Sequence, residues 1–135
     1  MNSHYIIFAD DDADDLELIT GYFKQYNDKV NVLEFMDGRE VMEFLDRYAP
    51  AYGLPLLIVL DINMPRYNGK ETLLSIRKHD QCKNIPVVIY STSNNLSDEE
   101  FCRDNGASWV TKSSNLEGVR QIAKVLADFC ELQKH

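Results

Sequence analysis

A chain of 135 residues, 44% hydrophobic with a formal net charge of −8, can bury one core without disulfides or a structural metal and leaves no room for a second ordinary domain. The negative charge works against nucleic acid or an anionic membrane as partner, since both need clustered Lys and Arg, and favours a protein or a cation. The longest apolar run, 56–60, is far too short to cross a bilayer, and the start MNSHY has neither the basic nor the apolar segment of a secretory signal.

Cys82, Cys102 and Cys130 are odd in number and widely spaced, with no CxxC pair, so neither a disulfide framework nor a zinc site is indicated. Reduced thiols and a cytoplasmic location are the expectation. His4, His79 and His135 form no spaced group, and no ligand role is assigned to them.

In chain order, Tyr5 to Ala9 reads as a first strand. Leu16, Ile19 and Phe23 follow at helical spacing, with Asp12 as N-cap and acidic residues in the first turn, where the helix dipole favours them. Val30 to Phe35 alternates as a second strand. Val41, Phe44, Leu45 and Tyr48 mark a second helix, which the loop APAYGLP is expected to close because proline and glycine interrupt helices. LLIVL at 56–60 is apolar on both alternations, as a central parallel strand must be. Leu73, Leu74, Ile76 and Arg77 suggest a third helix, and 86–90 a fourth strand. A short helix is expected to begin with a capping box from Ser97 to Glu100 and to stop at Gly106. Ser108 to Thr111 forms a fifth, edge-like strand. The last helix is expected to open with a second capping box, Ser114 to Glu117, and to carry Leu116, Val119, Ile122, Ala123, Leu126 and Phe129 on one face.

Five β/α units in alternation imply a parallel α/β sheet occupying 1–135 as a single domain. Ligands of such sheets bind outside the carboxyl ends of the strands. There the chain puts Asp10 and Asp11 after the first strand, Asp61 after the third, Ser91 and Thr92 after the fourth and Lys112 after the fifth. After the second come Met36, Asp37 and Gly38, which look like a plain turn. Three converging carboxylates suit a hard cation such as Mg2+, and a lysine with a hydroxyl could hold a phosphoryl group beside it. The set reads as a carboxylate nucleophile inside a phosphoryl-transfer site.

The motifs FADDD at 8–12, LDINMPRYNG at 60–69, YSTS at 90–93 and TKS at 111–113 make the sequence resemble the receiver domain of a two-component response regulator. The resemblance spans nearly the whole chain and implies a flavodoxin-like, doubly wound five-stranded parallel sheet in the order 2-1-3-4-5 with five helices. It implies that Asp61 accepts a phosphoryl group from a phosphohistidine of a histidine kinase or phosphotransfer domain. Asp10, Asp11 and Asp61, with the backbone carbonyl of Asn63, would hold Mg2+. Lys112 and Ser91 would take the places of the family's invariant lysine and switch hydroxyl, Thr92 would stand beside them, and Trp109 would be the switch aromatic. Asn63 and Ser93 fall where the family tunes dephosphorylation.

The resemblance further implies a signalling domain without an output domain, whose only chemistry is its own phosphorylation and dephosphorylation. Its switched surface would lie around Leu96, Phe101, Trp109 and Val119, docking a downstream protein or a second copy. The run from Lys112 to Leu116 is similar to that of single-domain receivers serving phytochrome-like histidine kinases. One departure is Ser113 after the lysine, where the family usually has proline joined by a cis bond. A cis bond at a non-proline costs about 2.5–4 kcal/mol, and the sequence leaves its state open.

Plainer readings compete. Asp12, Asp14 and Asp15 are accounted for as a solvated N-cap and first helical turn. Asp61 to Pro65, taken alone, would be a strand-ending turn, and Trp109 fits a packed or partner-facing aromatic as well as a switch. An EF-hand loop starting at Asp10 would need Gly at 15 and Glu at 21, where the chain has Asp15 and Gly21. The D-x-D-x-[TV] pattern of haloacid dehalogenase phosphatases meets Asp14 at its last place, and both phosphate-binding glycine loops are absent. A small Mg2+-dependent phosphohydrolase with an aspartyl-phosphate intermediate is the enzyme alternative.

Overall fold

The structure is a computed structural model that describes residues 4–134. Met1 to Ser3, the first residues of the expected domain, and His135 lie outside the described residues. Ten elements alternate without exception. They are β1 (Tyr5–Ala9), α1 (Ala13–Tyr26), β2 (Asn31–Phe35), α2 (Gly38–Tyr52), β3 (Leu57–Leu60), α3 (Gly69–Lys78), β4 (Val87–Ser91), α4 (Leu96–Asp104), β5 (Ser108–Thr111) and α5 (Leu116–Gln133). All strand pairings are parallel, and the spatial order is β2-β1-β3-β4-β5, as expected for a flavodoxin-like sheet.

Because strand side chains alternate between faces, the three central strands divide their apolar residues between two layers. Ile7, Ile58, Leu60 and Ile89 meet Val41, Leu45, Leu73, Ile76 and Cys102 from α2, α3 and α4. Ile6, Phe8, Leu57 and Val59 meet Leu16, Ile19 and Phe23 of α1 and Val119, Ala123, Leu126 and Cys130 of α5. All three cysteines are free and buried, and burial pushes the Cys102 and Cys130 thiols up to about 11 and about 12, as inert core thiols require.

Several ends differ from expectation. β2 begins at Asn31 rather than Val30, since the Val30 amide donates to the Asn27 side chain at 3.2 Å. β3 and β4 each start one residue later than expected, at Leu57 and Val87, and β4 extends to Ser91. The second helix closes within APAYGLP as expected, but at its glycine and not at its first proline: Pro50 lies inside α2, which runs to Tyr52 and ends at Gly53, with φ 92°. In the last turn proline removes a single bond, and the Gly53 amide still reaches the Ala49 carbonyl at 2.8 Å. Neither expected capping box forms. Asn95 caps α4 by accepting from the Asp98 amide at 3.0 Å, and Asn115 caps α5 by accepting from the Gly118 amide at 2.8 Å. In each case an asparagine within two residues of the expected serine wins the cap, since its side-chain carbonyl accepts at least as well as a hydroxyl. Leu116, expected on the inner face of the last helix, is 57% exposed in its first turn.

Candidate functional site

Register sets the site. Ala9 lies opposite both Phe35 and Leu60, so Asp10 and Asp61 leave adjacent strands side by side, at the point where strand order reverses. Their backbones stay tied to the sheet. The Asp10 amide donates to the Phe35 carbonyl at 3.0 Å, the Asp61 amide to the Ala9 carbonyl at 2.9 Å, and the Lys112 amide to the Ser91 carbonyl at 2.9 Å. Alternation then decides which side each group takes. Asp10 follows the parity of Ile6 and Phe8, Asp61 that of Leu57 and Val59, and Lys112 that of Val110. All of these strand residues belong to the layer shared with α1 and α5.

The carboxylates of Asp10, Asp11 and Asp61 offer oxygens that all lie within 4.8 Å of one another. Asp10 and Asp61 are buried and Asp11 is exposed. Each buried carboxylate divides its oxygens between a backbone amide and a cation. Asp10 Oδ1 accepts from the Asp12 amide at 2.9 Å, and its Oδ2 lies 2.8 Å from Lys112 Nζ. Asp61 Oδ1 accepts from the Asn63 amide at 3.3 Å, and its Oδ2 from Lys112 Nζ at 3.3 Å. Burial raises the Asp10 carboxyl to about 6, against the pull of Lys112 and the Asp12 amide, and Asp61 adds repulsion. Burial alone would lower the Lys112 ammonium, but contacts with Asp10 and Asp15 and the charge of Asp61 hold it above its ordinary value.

Crowded, partly desolvated carboxylates with an open, exposed member fit a divalent cation with oxygen preference. Burial is the main cause of the raised Asp10 carboxyl, and the repulsion from Asp61, which a cation would offset, adds to it. Asn63, whose backbone carbonyl was expected as a fourth ligand, stands on the exposed loop two residues past Asp61.

The remaining expected residues do not all meet there. Thr92 is exposed and lines a groove with Asp15, Tyr90 and Lys112. Ser91 shares the parity of Ile89, facing the other layer; it is wholly buried, and its hydroxyl accepts from the Ser93 amide at 3.3 Å. Trp109 is half-buried against that same layer, as is Phe101 of α4. The Lys112–Ser113 peptide bond is trans, as are all peptide bonds of the described residues.

Sequence reasoning missed three features. Asp15, taken for a solvated first-turn residue, accepts from Lys112 Nζ at 2.9 Å. The first turn of α1 lies over the same layer as Lys112, a fact that strand parity plus the assignment of α1 to that layer would have revealed. Tyr90 sits under the ammonium, its ring centroid 5.6 Å from Nζ, at cation–π distance. Asp37 is no plain turn. It caps α2 through the Glu40 amide at 2.9 Å and binds the Arg66 guanidinium, whose Nε donates at 2.8 Å. The signal for the cap was an aspartate three residues before a glutamate at a helix start. Arg66, at φ 61°, reaches back from the loop after Asp61, and nothing in one sequence predicts that pairing.

Comparison with known proteins decides the family. The description "Response regulator receiver domain" matches residues 6–124. The chain belongs to the response regulator receiver domain family. Among curated proteins it is similar to response regulator Rcp1 of Synechocystis, with 28% identity over 127 residues, 92% of this chain and 86% of that protein. Among solved structures it resembles the phosphorylated cyanobacterial phytochrome response regulator RcpA, at 34% identity and TM-score 0.86 over 95% of this chain and 94% of that one. It likewise resembles the Mn2+-bound form of Rcp1, at 28% identity and TM-score 0.84 over 93% of each chain. Receiver domains bind a divalent metal and accept phosphoryl groups from histidine kinases. Among the described residues no helix is long and apolar enough to cross a membrane.

Proposed function

We propose that this receiver is a phosphorylation switch in which Asp61 is the phosphoacceptor and Mg2+ is the working metal, held by Asp10, Asp11 and Asp61 with the Asn63 carbonyl. The observation that carries the reading is the meeting of those three carboxylates and Lys112 at one end of the sheet, drawn from strands far apart in the chain. A bound divalent ion offsets charge on the transferred oxygens.

Asp61 attacks phosphorus in line through the oxygen it does not commit to the Asn63 amide, as the P–N bond to the donor histidine breaks on the opposite side and the imidazole leaves. Lys112, already within 3.3 Å of that oxygen, pairs with the product acyl phosphate. Thr92 stands at the open side of the pocket, where a donor enters. Ser91 would have to leave its turn with Ser93 to reach the phosphoryl group, and such a movement would carry a signal through the layer that holds Phe101 and Trp109. Output then leaves by docking of the surface around Leu96, Phe101 and Trp109 onto a protein target or a second copy; Val119, expected on that surface, is buried instead in the layer shared by α1 and α5.

The donor is a phosphohistidine of a kinase or phosphotransfer domain, and the similarity to RcpA and Rcp1 supports a phytochrome-type kinase. The chain is read as one receiver unit working in the cytoplasm, with no catalysis beyond its own phosphorylation cycle. The test is labelling by acetyl phosphate with Mg2+. Wild type is expected to gain one phosphoryl group by intact mass and Asp61→Asn none; full labelling of that variant would refute the assignment.

A further inference from the structure

The Lys112 ammonium is contested. Asp10 Oδ2 lies 2.8 Å from Nζ, Asp15 Oδ2 2.9 Å and Asp61 Oδ2 3.3 Å, while the lysine side chain is only 7% exposed. An ammonium has three donor hydrogens, so three oxygens at this range leave no donor to spare. Two of these carboxylates belong to the phosphoryl-transfer site proposed above. Asp15 does not: it comes from α1, its side chain is 37% exposed, and its oxygens are not among those that converge for a cation. Its amide is fixed by Asp12 Oδ1 at 3.1 Å, so the carboxylate is held against the lysine by the same cap that starts the helix. Of the three partners, Asp61 has the longest contact.

We propose that Asp15 is a positioning residue that draws the Lys112 ammonium toward α1, so that the lysine's hold on a phosphoryl group at Asp61 is weakened by competition. This rests on Asp61 being the phosphoacceptor. The arrangement makes two demands of opposite sign. The Asp15 charge adds to the negative potential that attracts a divalent cation, so its removal weakens metal binding. The same removal frees a lysine donor, so an anionic phosphoryl mimic at Asp61 binds more tightly once metal is saturating. A role confined to holding α1 in place would shift both affinities the same way.

The experiment compares wild type, Asp15→Asn and Asp15→Glu. MgCl2 is titrated by calorimetry, and beryllofluoride is then titrated at saturating Mg2+ by fluorine NMR. For Asp15→Asn the Mg2+ dissociation constant should rise about threefold and that for beryllofluoride should fall about threefold, the scale of a partly exposed charge pair. Asp15→Glu, which returns the charge, should bring both toward wild type. Loss of both affinities, no change in either, or failure of Glu to restore them overturns the proposal while leaving the phosphoacceptor assignment standing, because wild type still binds both. Failure of wild type to bind either ligand removes both readings together.

Discussion

Gly69, the first residue of α3, tests whether the packing beneath Asp61 is as tight as the geometry requires. A β-carbon built there would stand 2.5 Å from the Asp61 carbonyl oxygen and 2.7 Å from the Ile62 α-carbon. Both are backbone atoms, held by the Gly69 amide donating to Ile62 at 3.0 Å and by the Asp61 amide donating to Ala9, so neither can swing away as a side-chain tip would. Ordinary carbon contacts lie at about 3.5–4.0 Å, so Gly69→Ala requires a displacement of about 1 Å between α3 and the end of β3. Forced overpacking of this kind costs about 1–3 kcal/mol. With an unfolding entropy of about 2.1 cal/mol/K per residue, that is a fall in Tm of about 4–10 °C. Because the residue that moves is Asp61, Mg2+ affinity should fall as well. Thermal unfolding by circular dichroism and calorimetric Mg2+ titration measure the two effects. The sign is decisive, since at an unstrained site Gly→Ala stabilises by about 0.4–1 kcal/mol through the unfolded chain. An unchanged or raised Tm with unaltered metal binding would refute the close approach.

Three further outcomes follow from the charged groups. Asp10, raised to about 6 from 3.8 by burial, is harder to ionise folded than unfolded, so metal-free stability should decline as pH rises from about 4 to about 6. Asp10→Asn should remove that decline in urea titrations done with chelator present. Burial works against ionised Asp37, but the Glu40 amide and the Arg66 guanidinium hold it below its ordinary value; its stabilisation is present above the unfolded carboxylate pKa and lost as pH falls through the folded one. Asp37→Ala should therefore cost about 1–2 kcal/mol at pH 7, mostly the α2 cap, with the deficit shrinking in acid, whereas Arg66→Ala, which leaves that cap in place, costs less than Asp37→Ala. Lys112→Ala strips the counter-charge from buried carboxylates and should destabilise the metal-free protein by about 3 kcal/mol. Part of that loss should return with Mg2+, as read from Tm with and without the ion.

What could be read from the chain alone was whatever depends on period and position. The strands were legible because apolar runs such as LLIVL have no other place to go, and the site because each strand end carries its polar group within one or two residues. Asp61, Asp10 and Lys112 were therefore found together without coordinates. The helix starts at Asn95 and Asn115 were not, because two neighbouring side chains each able to cap compete locally and only the final backbone angle chooses between them. The pairings of Lys112 with Asp15 and of Arg66 with Asp37 were hidden for a different reason: a long flexible cation can reach any of several carboxylates, and which one it meets depends on how helices and loops settle on the sheet. Ser91 and Thr92 look equivalent in sequence, yet one is buried and the other open, a difference fixed by alternation across the pleat.

That alternation has a consequence for how the chain tolerates change in length. Asp10, Asp61 and Lys112 are addressed by counting residues outward from the sheet, so one added residue between Leu60 and Asp61, or between Thr111 and Lys112, would turn the group toward the wrong layer. At the opposite end of the sheet, the exposed stretches 28–29, 53–54 and 83–84 bear no such count, and additions there leave the groups at the strand ends in place. A scan of single-residue insertions should therefore divide the molecule along its length, with one end permissive and the other silenced although still folded.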